Sequence, residues 1–403
     1  MTTQSKIPKM TDVSVTEQLT SNSEQRFHYM DNLRAAAMLI GIVFHVALAY
    51  SPLMHNVWFV ADPQKSVVLD FSVYLLHLFR MPLFFLIAGF FAFMLLEKRG
   101  ITAFIKHRCK RILLPFVVFY PILLAAIIAA ITWGVSFVEN IPPILTILSE
   151  NNMEDSAAST AHLWFLYNLF GFCLLAAALF KMKLLQHRLV KKMASLTFLL
   201  VIFPLLIVPA LYSQLAPFPA PERFYPELWS YGFYGIFFLI GCAFYQNQTV
   251  FKQLERCQAW LFLLGLSSYI AFYFRIPSTI SPEEISSMMK GEIIAPSGIE
   301  HFFTVLLQAI GAVYLSLLSL VVGKRFFNYS NTLMRYIADS SYWLYLVHIP
   351  LLLVIQFPLI DLNINLWLKF IISLVAILFI GFVSYWSLVR NSFIGVLLNG
   401  KKQ

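Results

Sequence analysis

Ten apolar runs, each long enough to cross a hydrocarbon layer as a helix, occupy this chain from residue 33 to residue 389. A bilayer core of roughly 30 Å takes about 20 residues of helix. The runs lie at about 33–51, 68–96, 112–133, 163–180, 194–212, 228–245, 257–275, 302–323, 341–359 and 366–389. They leave almost nothing for a separate soluble domain. With 59% hydrophobic and 12% charged residues and a mean hydropathy of +0.74, the chain cannot be a soluble domain with a polar surface. The expected fold class is an all-α polytopic membrane protein of about ten transmembrane helices.

Orientation follows from the basic residues, which collect in short cytoplasmic loops. The amino-terminal tail, every second loop and the carboxyl-terminal tail hold 22 Lys and Arg; the alternate loops hold only Lys65, Arg223, Arg275 and Lys290. Both termini are therefore expected in the cytoplasm. The net charge of +9 then reflects topology and attraction to anionic lipid, and no nucleic-acid motif is present. Residues 1–26 are polar, rich in Ser and Thr and without an apolar signal core, which predicts a disordered cytoplasmic tail. The membrane domain is expected over 27–390 and a second cytoplasmic tail over 391–403. Cysteines 109, 173, 242 and 257 have no CxxC spacing, so neither a disulfide framework nor a metal site is expected. The longer outer loops, 134–162 and 276–301, carry eight carboxylates and could cover a periplasmic opening.

Ionisable groups inside the apolar runs are the informative residues, because each costs roughly 2.5 to 3.5 kcal/mol at a helix centre. Arg34 and His45 stand eleven positions apart in RAAAMLIGIVFH, with ten residues between them. At 1.5 Å per residue His45 lies about 16 Å along the helix from Arg34, past the midplane. Arg34 can snorkel from a helix end; His45 has no such route to water. It is either a packing histidine bonded to a neighbouring helix or a general base. In KHRCKRILLPF, Arg108 and Arg111 are three apart and flanked by Lys106 and Lys110. Two guanidinium forks on one helix face can clamp phosphate, although positive-inside charge alone also explains the cluster. Arg80, in HLFRMPLFFLIAGF, is the costliest residue and needs an anion: a buried acidic side chain or a substrate carboxylate, with backbone carbonyls and water as the alternative. His162 and Trp164 in HLWFLYNL sit at the outer interface, where an aromatic belt would also place Trp. Tyr345 and His348 in SYWLYLVHIP share a helix face within the membrane, for substrate or for packing.

These five segments, in their order along the chain and over about residues 27 to 390, resemble the integral-membrane acyltransferase 3 family. The segments YMDNLRAAAMLIGIVFHVALAYSP and FRMPLFF are most similar to the branch that succinylates periplasmic glucans.

The resemblance implies transfer of an acyl group from cytoplasmic acyl-CoA, a co-substrate, to a hydroxyl of an extracytoplasmic glucan or other glycan. It also implies a bacterial inner membrane and no permanently bound cofactor. Arg34 and His45 would serve catalysis, with His45 as the base. Arg108, Arg111 and Lys106 would hold the CoA phosphates. Arg80, His162, Trp164, Tyr345 and His348 would contact substrate, Arg80 meeting a free succinyl carboxylate. That last role rests on position rather than on the resemblance. A transporter or exporter of a glycan or anion is the competing class, but no internal repeat or pair of matching broken helices marks one.

Overall fold

The computed structural model describes residues 28–150, 158–290, 296–329 and 331–400; the amino-terminal tail lies outside them. Ten principal helices carry the apolar runs: α1 (His28–Leu48), α2 (Val67–Arg108), α3 (Leu114–Val135), α4 (Trp164–Lys181), α5 (Phe203–Tyr212), α6 (Leu228–Gln246), α7 (Gln258–Tyr273), α8 (Ile299–Phe326), α9 (Thr332–Gln356) and α10 (Leu366–Ser384). No strand occurs among the described residues; Ser159 and Arg223 form an isolated bridge.

By length and composition, seven helical stretches among the described residues can cross a membrane, fewer than the ten expected. Two of the expected runs share one helical path, Val67–Val135. The basic stretch between them is made of good helix formers, so the chain does not leave the helix there. It breaks only at Gly100, whose φ of +74° suits a residue without a Cβ, and loosens in a π-helical turn at Cys109–Leu113. Two other runs form helices too short to count by length, Phe198–Tyr212 and Gln258–Tyr273. The expected carboxyl-terminal tail contains a further short helix, Phe393–Asn399.

The tightest helix crossing joins α2 to α6. A Cβ on Gly89 would overlap the Phe238 carbonyl, and one on Gly241 would overlap that of Leu86, so the two backbones touch. Small residues at such crossings let dispersion act between helices that gain little from hydrophobic burial in lipid. Apolar side chains such as Val117 and Ile122 on α3, and Val375 and Phe379 on α10, point away from the core.

At one end of the bundle the 49–66 segment is pinned from both sides. Asp70 accepts from Ser51 Oγ, from the Leu53 backbone at 3.3 Å and from the Tyr273 hydroxyl at 2.8 Å. Lys369 of α10 donates to Asp62 at 2.7 Å and to the Ile360 carbonyl at 3.0 Å, both side chains being almost fully buried. Asp70 is thereby committed ten residues away from Arg80.

Candidate active site

A cavity of about 410 Å³ opens at that same end, among the loops around Trp58, Phe218 and Ile280, and runs inward to Ala37, Met81 and Phe84. It brings together His45, Arg80, His162, Trp164, Tyr345 and His348, contributed by α1, α2, α4 with the turn before it, and α9. Arg34, Lys106, Arg108 and Arg111 lie outside its lining, toward the opposite end of the bundle.

His45 sits on α1 with Nδ1 2.8 Å from the Gly41 carbonyl one turn back. A carbonyl can only accept, so Nδ1 carries the proton and Nε2 keeps its lone pair, on a ring that lines the cavity. Nδ1 is also 3.2 Å from Nε2 of His348. The His348 Nδ1 in turn donates to the Tyr345 carbonyl at 2.6 Å.

The position of α9 has a local sequence cause. Pro350 lacks an N–H, so the carbonyl of Leu346, four residues earlier, loses its helical donor. His162 Nε2 takes that place at 2.9 Å. The Tyr345 hydroxyl returns a bond to the His162 carbonyl at 2.8 Å, so the turn preceding α4 is bolted to α9 by a reciprocal pair. His162 Nδ1 is left buried with no partner, an acceptor available inside the cavity. Trp164 lines the wall and packs against Tyr234, with ring centroids 5.4 Å apart.

Arg80 is 7% exposed and forms no ion pair with a described acidic residue. Its guanidinium lies over the Phe44 ring, 4.6 Å from the centroid, and fills the space a side chain at Gly41 would need. Its Nε has no partner. A buried cation offset only by an aromatic face is expensive, and an anion entering the cavity could pair with it.

Three lining groups escaped the sequence reading. His77, one turn before Arg80, donates from Nε2 to the Phe218 carbonyl at 2.9 Å and stacks on Phe44; its HxxR spacing was the available signal. Trp58 brings its ring within 5.7 Å of His45 and leaves Nε1 unpartnered. Phe218, 1% exposed, folds into the cavity from the 215–222 loop. Neither loop aromatic is marked by periodicity.

At the other end, Arg34 is 47% exposed and 3.7 Å from Asp31, as a snorkelling helix-end residue would be. Arg108 is largely buried over Phe104, near Cys173 and close enough to Arg34 for their charges to repel; its Nε has no partner. Arg111, inside the π-helical turn that follows Arg108, donates to the Leu397 carbonyl at 3.3 Å. A π-helical turn, Cys109–Leu113, thus interrupts the α-helical register on which their spacing argument rests. Lys106 is exposed. Among the described residues, no group of three or more His, Cys, Asp or Glu could hold a metal ion.

A multi-helix bundle in which histidines and a buried arginine converge on a largely apolar cavity open at one end has the parts a membrane-embedded group-transfer enzyme needs. Residues 27–386 match the acyltransferase 3 family model, described as an acyltransferase domain; the chain belongs to this family and is an acyl-transferring enzyme. It is 25% identical over 390 residues to the glucans biosynthesis protein C of Escherichia coli strain K12 / DH10B, covering 94% of this chain and 95% of the relative. The protein of the same name from E. coli O17:K52:H18 is 25% identical over 397 residues, with the same coverage. No solved structure matches the chain significantly.

Proposed function

We propose that this enzyme moves an acyl group, succinyl by preference, from cytoplasmic acyl-CoA to a hydroxyl of an extracytoplasmic glucan or related glycan. The reading includes ten spans in a bacterial inner membrane with both termini cytoplasmic; the 22-to-4 distribution of basic residues supports that orientation. The acceptor class comes from the relatives named for glucan biosynthesis.

The observation that carries the proposal is His45: a lone pair on Nε2, fixed by the Nδ1 bond to Gly41, in a cavity shared with an unpaired guanidinium. Arg34, Arg108, Arg111 and Lys106 hold the CoA phosphates at the cytoplasmic end, and the pantetheine arm carries the thioester along α1 to the inner floor of the cavity. The acceptor enters from the outer mouth, where His162 Nδ1 can accept from a sugar hydroxyl and Trp164 and Tyr345 offer ring faces. Nε2 of His45 takes the proton as the hydroxyl oxygen bonds to the thioester carbon. The carbon–sulfur bond then breaks, and the proton passes from Nε2 to the departing CoA thiolate. Holding both reactants in one closed site removes much of the entropic barrier, and a positioned base supplies about 10²- to 10⁴-fold. Arg80 grips the free carboxylate of a succinyl group with paired donors.

Purified protein in lipid vesicles, supplied with succinyl-CoA and a neutral linear glucan, should yield succinylated glucan by mass spectrometry and one free CoA thiol per succinyl ester. Export of unmodified glucan without CoA release would overturn the proposal in favour of a transporter.

A further inference from the structure

His348 has a task that substrate contact does not describe. Its Nδ1 lies 2.6 Å from the Tyr345 carbonyl, which can only accept, so that nitrogen bears the proton and Nε2 is the bare one. That bare nitrogen lies 3.2 Å from His45 Nδ1, whose proton is already committed toward the Gly41 carbonyl. Two donors facing each other at this distance would repel. Two bare nitrogens would leave the Gly41 contact without a hydrogen. The three contacts admit one arrangement: the His45 Nδ1–H is shared between Gly41 O and His348 Nε2, and Nε2 of His45 is bare.

We infer that His348 is the positioning residue of the catalytic base, a neutral imidazole that fixes the tautomer and ring plane of His45 and accepts from its Nδ1–H while Nε2 carries the substrate proton. This rests on the acyl-transfer reading for its catalytic consequence, but its geometric content stands apart from it.

The place of His348 is itself set by packing. It is 4% exposed, and its helix is fixed to the turn before α4 by the His162–Leu346 and Tyr345–His162 bonds, one made available by Pro350. The rings of His162 and His348 are 5.4 Å apart and nearly perpendicular, so His162 braces the imidazole without competing for its Nε2. A carboxylate in the same position would orient His45 equally well, yet would leave a buried negative charge beside Arg80 and cancel the anion site. A neutral acceptor orients the base and keeps the cavity cationic.

Two conservative variants separate the two hydrogen bonds of His348. His348→Asn keeps a donor for the Tyr345 carbonyl but has no acceptor at the Nε2 position; His348→Gln places an amide oxygen there. In purified protein that elutes as the parent does, His348→Leu and His348→Asn should lower kcat about a hundredfold with KM for acyl-CoA and for glucan changed by less than about threefold, as expected of a step removed from transition-state chemistry rather than binding. His348→Gln should recover at least about tenfold of that loss. Asn surpassing Gln would reduce His348 to a structural anchor, and a rise in acceptor KM with intact kcat would make it a substrate contact; either overturns the inference.

A chemical readout serves even if no acyl transfer occurs. Diethyl pyrocarbonate attacks a bare imidazole nitrogen, and acceptance from Nδ1–H raises the nucleophilicity of Nε2. Peptide mass spectrometry should show His45 carbethoxylated at least about threefold faster in the parent and in His348→Gln than in His348→Leu or His348→Asn. Equal rates in all four proteins would refute the pairing. An absence of transfer in a parent whose His45 labels as expected would reject the acyl-transfer reading alone.

Discussion

Replacing Arg80 by Met should change donor choice rather than stability. The guanidinium is 7% exposed, its Nε lacks a partner and no described acidic side chain pairs with it, so it is a net cost to the empty protein beyond its contact with Phe44. Methionine has a similar length and no polar group to desolvate. The melting temperature of Arg80→Met in detergent should therefore be no lower than that of the parent. With succinyl-CoA bound, the balance reverses, because removing one partner of a buried ion pair leaves the other uncompensated at about 3 to 5 kcal/mol. At 1.36 kcal/mol per decade this is roughly two to four decades of kcat/KM. Acetyl-CoA presents no carboxylate, so its kcat/KM should fall far less or rise. The assay is kcat/KM for both donors with one glucan acceptor, in parent and variant, on protein of equal elution profile. A succinyl-to-acetyl ratio that stays constant within about threefold would refute the carboxylate role. A large loss of melting temperature would show that Arg80 has a structural partner.

Other outcomes follow from the same contacts. Gly41→Ala should fold normally, since its methyl meets only the movable end of Arg80, yet it should lower succinyl transfer by displacing that guanidinium; an unchanged rate would show that the Arg80 position is not critical. Lys369→Met should remove about 3 to 5 kcal/mol of stability by leaving Asp62 buried and unpaired. The double variant Lys369→Met/Asp62→Leu should recover most of it, and equal melting temperatures for single and double variants would contradict the pairing. Arg108→Ala should raise the KM for acyl-CoA more than that for a truncated pantetheine thioester, whereas Arg111→Ala should do so less, because Arg111 already donates to Leu397. Equal effects of both variants on both donors would remove the phosphate role.

Much of the site was legible because hydrocarbon leaves a polar side chain few places to go. His45, Arg80, Tyr345 and His348 each stood in an apolar run and His162 at the edge of one, and all five line one cavity. Which atom meets which was not legible. His45 and His348 are 303 positions apart, and their contact depends on how α1 and α9 cross. The role of Pro350 is visible in the sequence only as a lost donor; that His162 fills the gap requires the fold. The basic cluster shows what spacing alone leaves out. An i, i+3 spacing puts two arginines on one face of an α-helix, but a π-helical turn at Cys109–Leu113 alters the register between them. The runs 68–96 and 112–133 join into one helical path for a related reason: Gly100 kinks the helix without ending it. The loop residues Trp58 and Phe218 carry no periodic pattern, and only the folded cavity reveals that they face His45 and His77.

The base is the centre of the account, and His45→Ala addresses it most directly. Parent and variant, purified in parallel and matched by elution profile and melting temperature, should be compared for succinyl ester formed on glucan per CoA thiol released. The variant should lose about 10²- to 10⁴-fold in kcat, with the KM for acyl-CoA little changed, because a base acts in the transition state and not in donor binding. Transfer by folded His45→Ala protein within about threefold of the parent rate would contradict the assignment of His45 as the base, and with it the catalytic consequence of the His348 pairing.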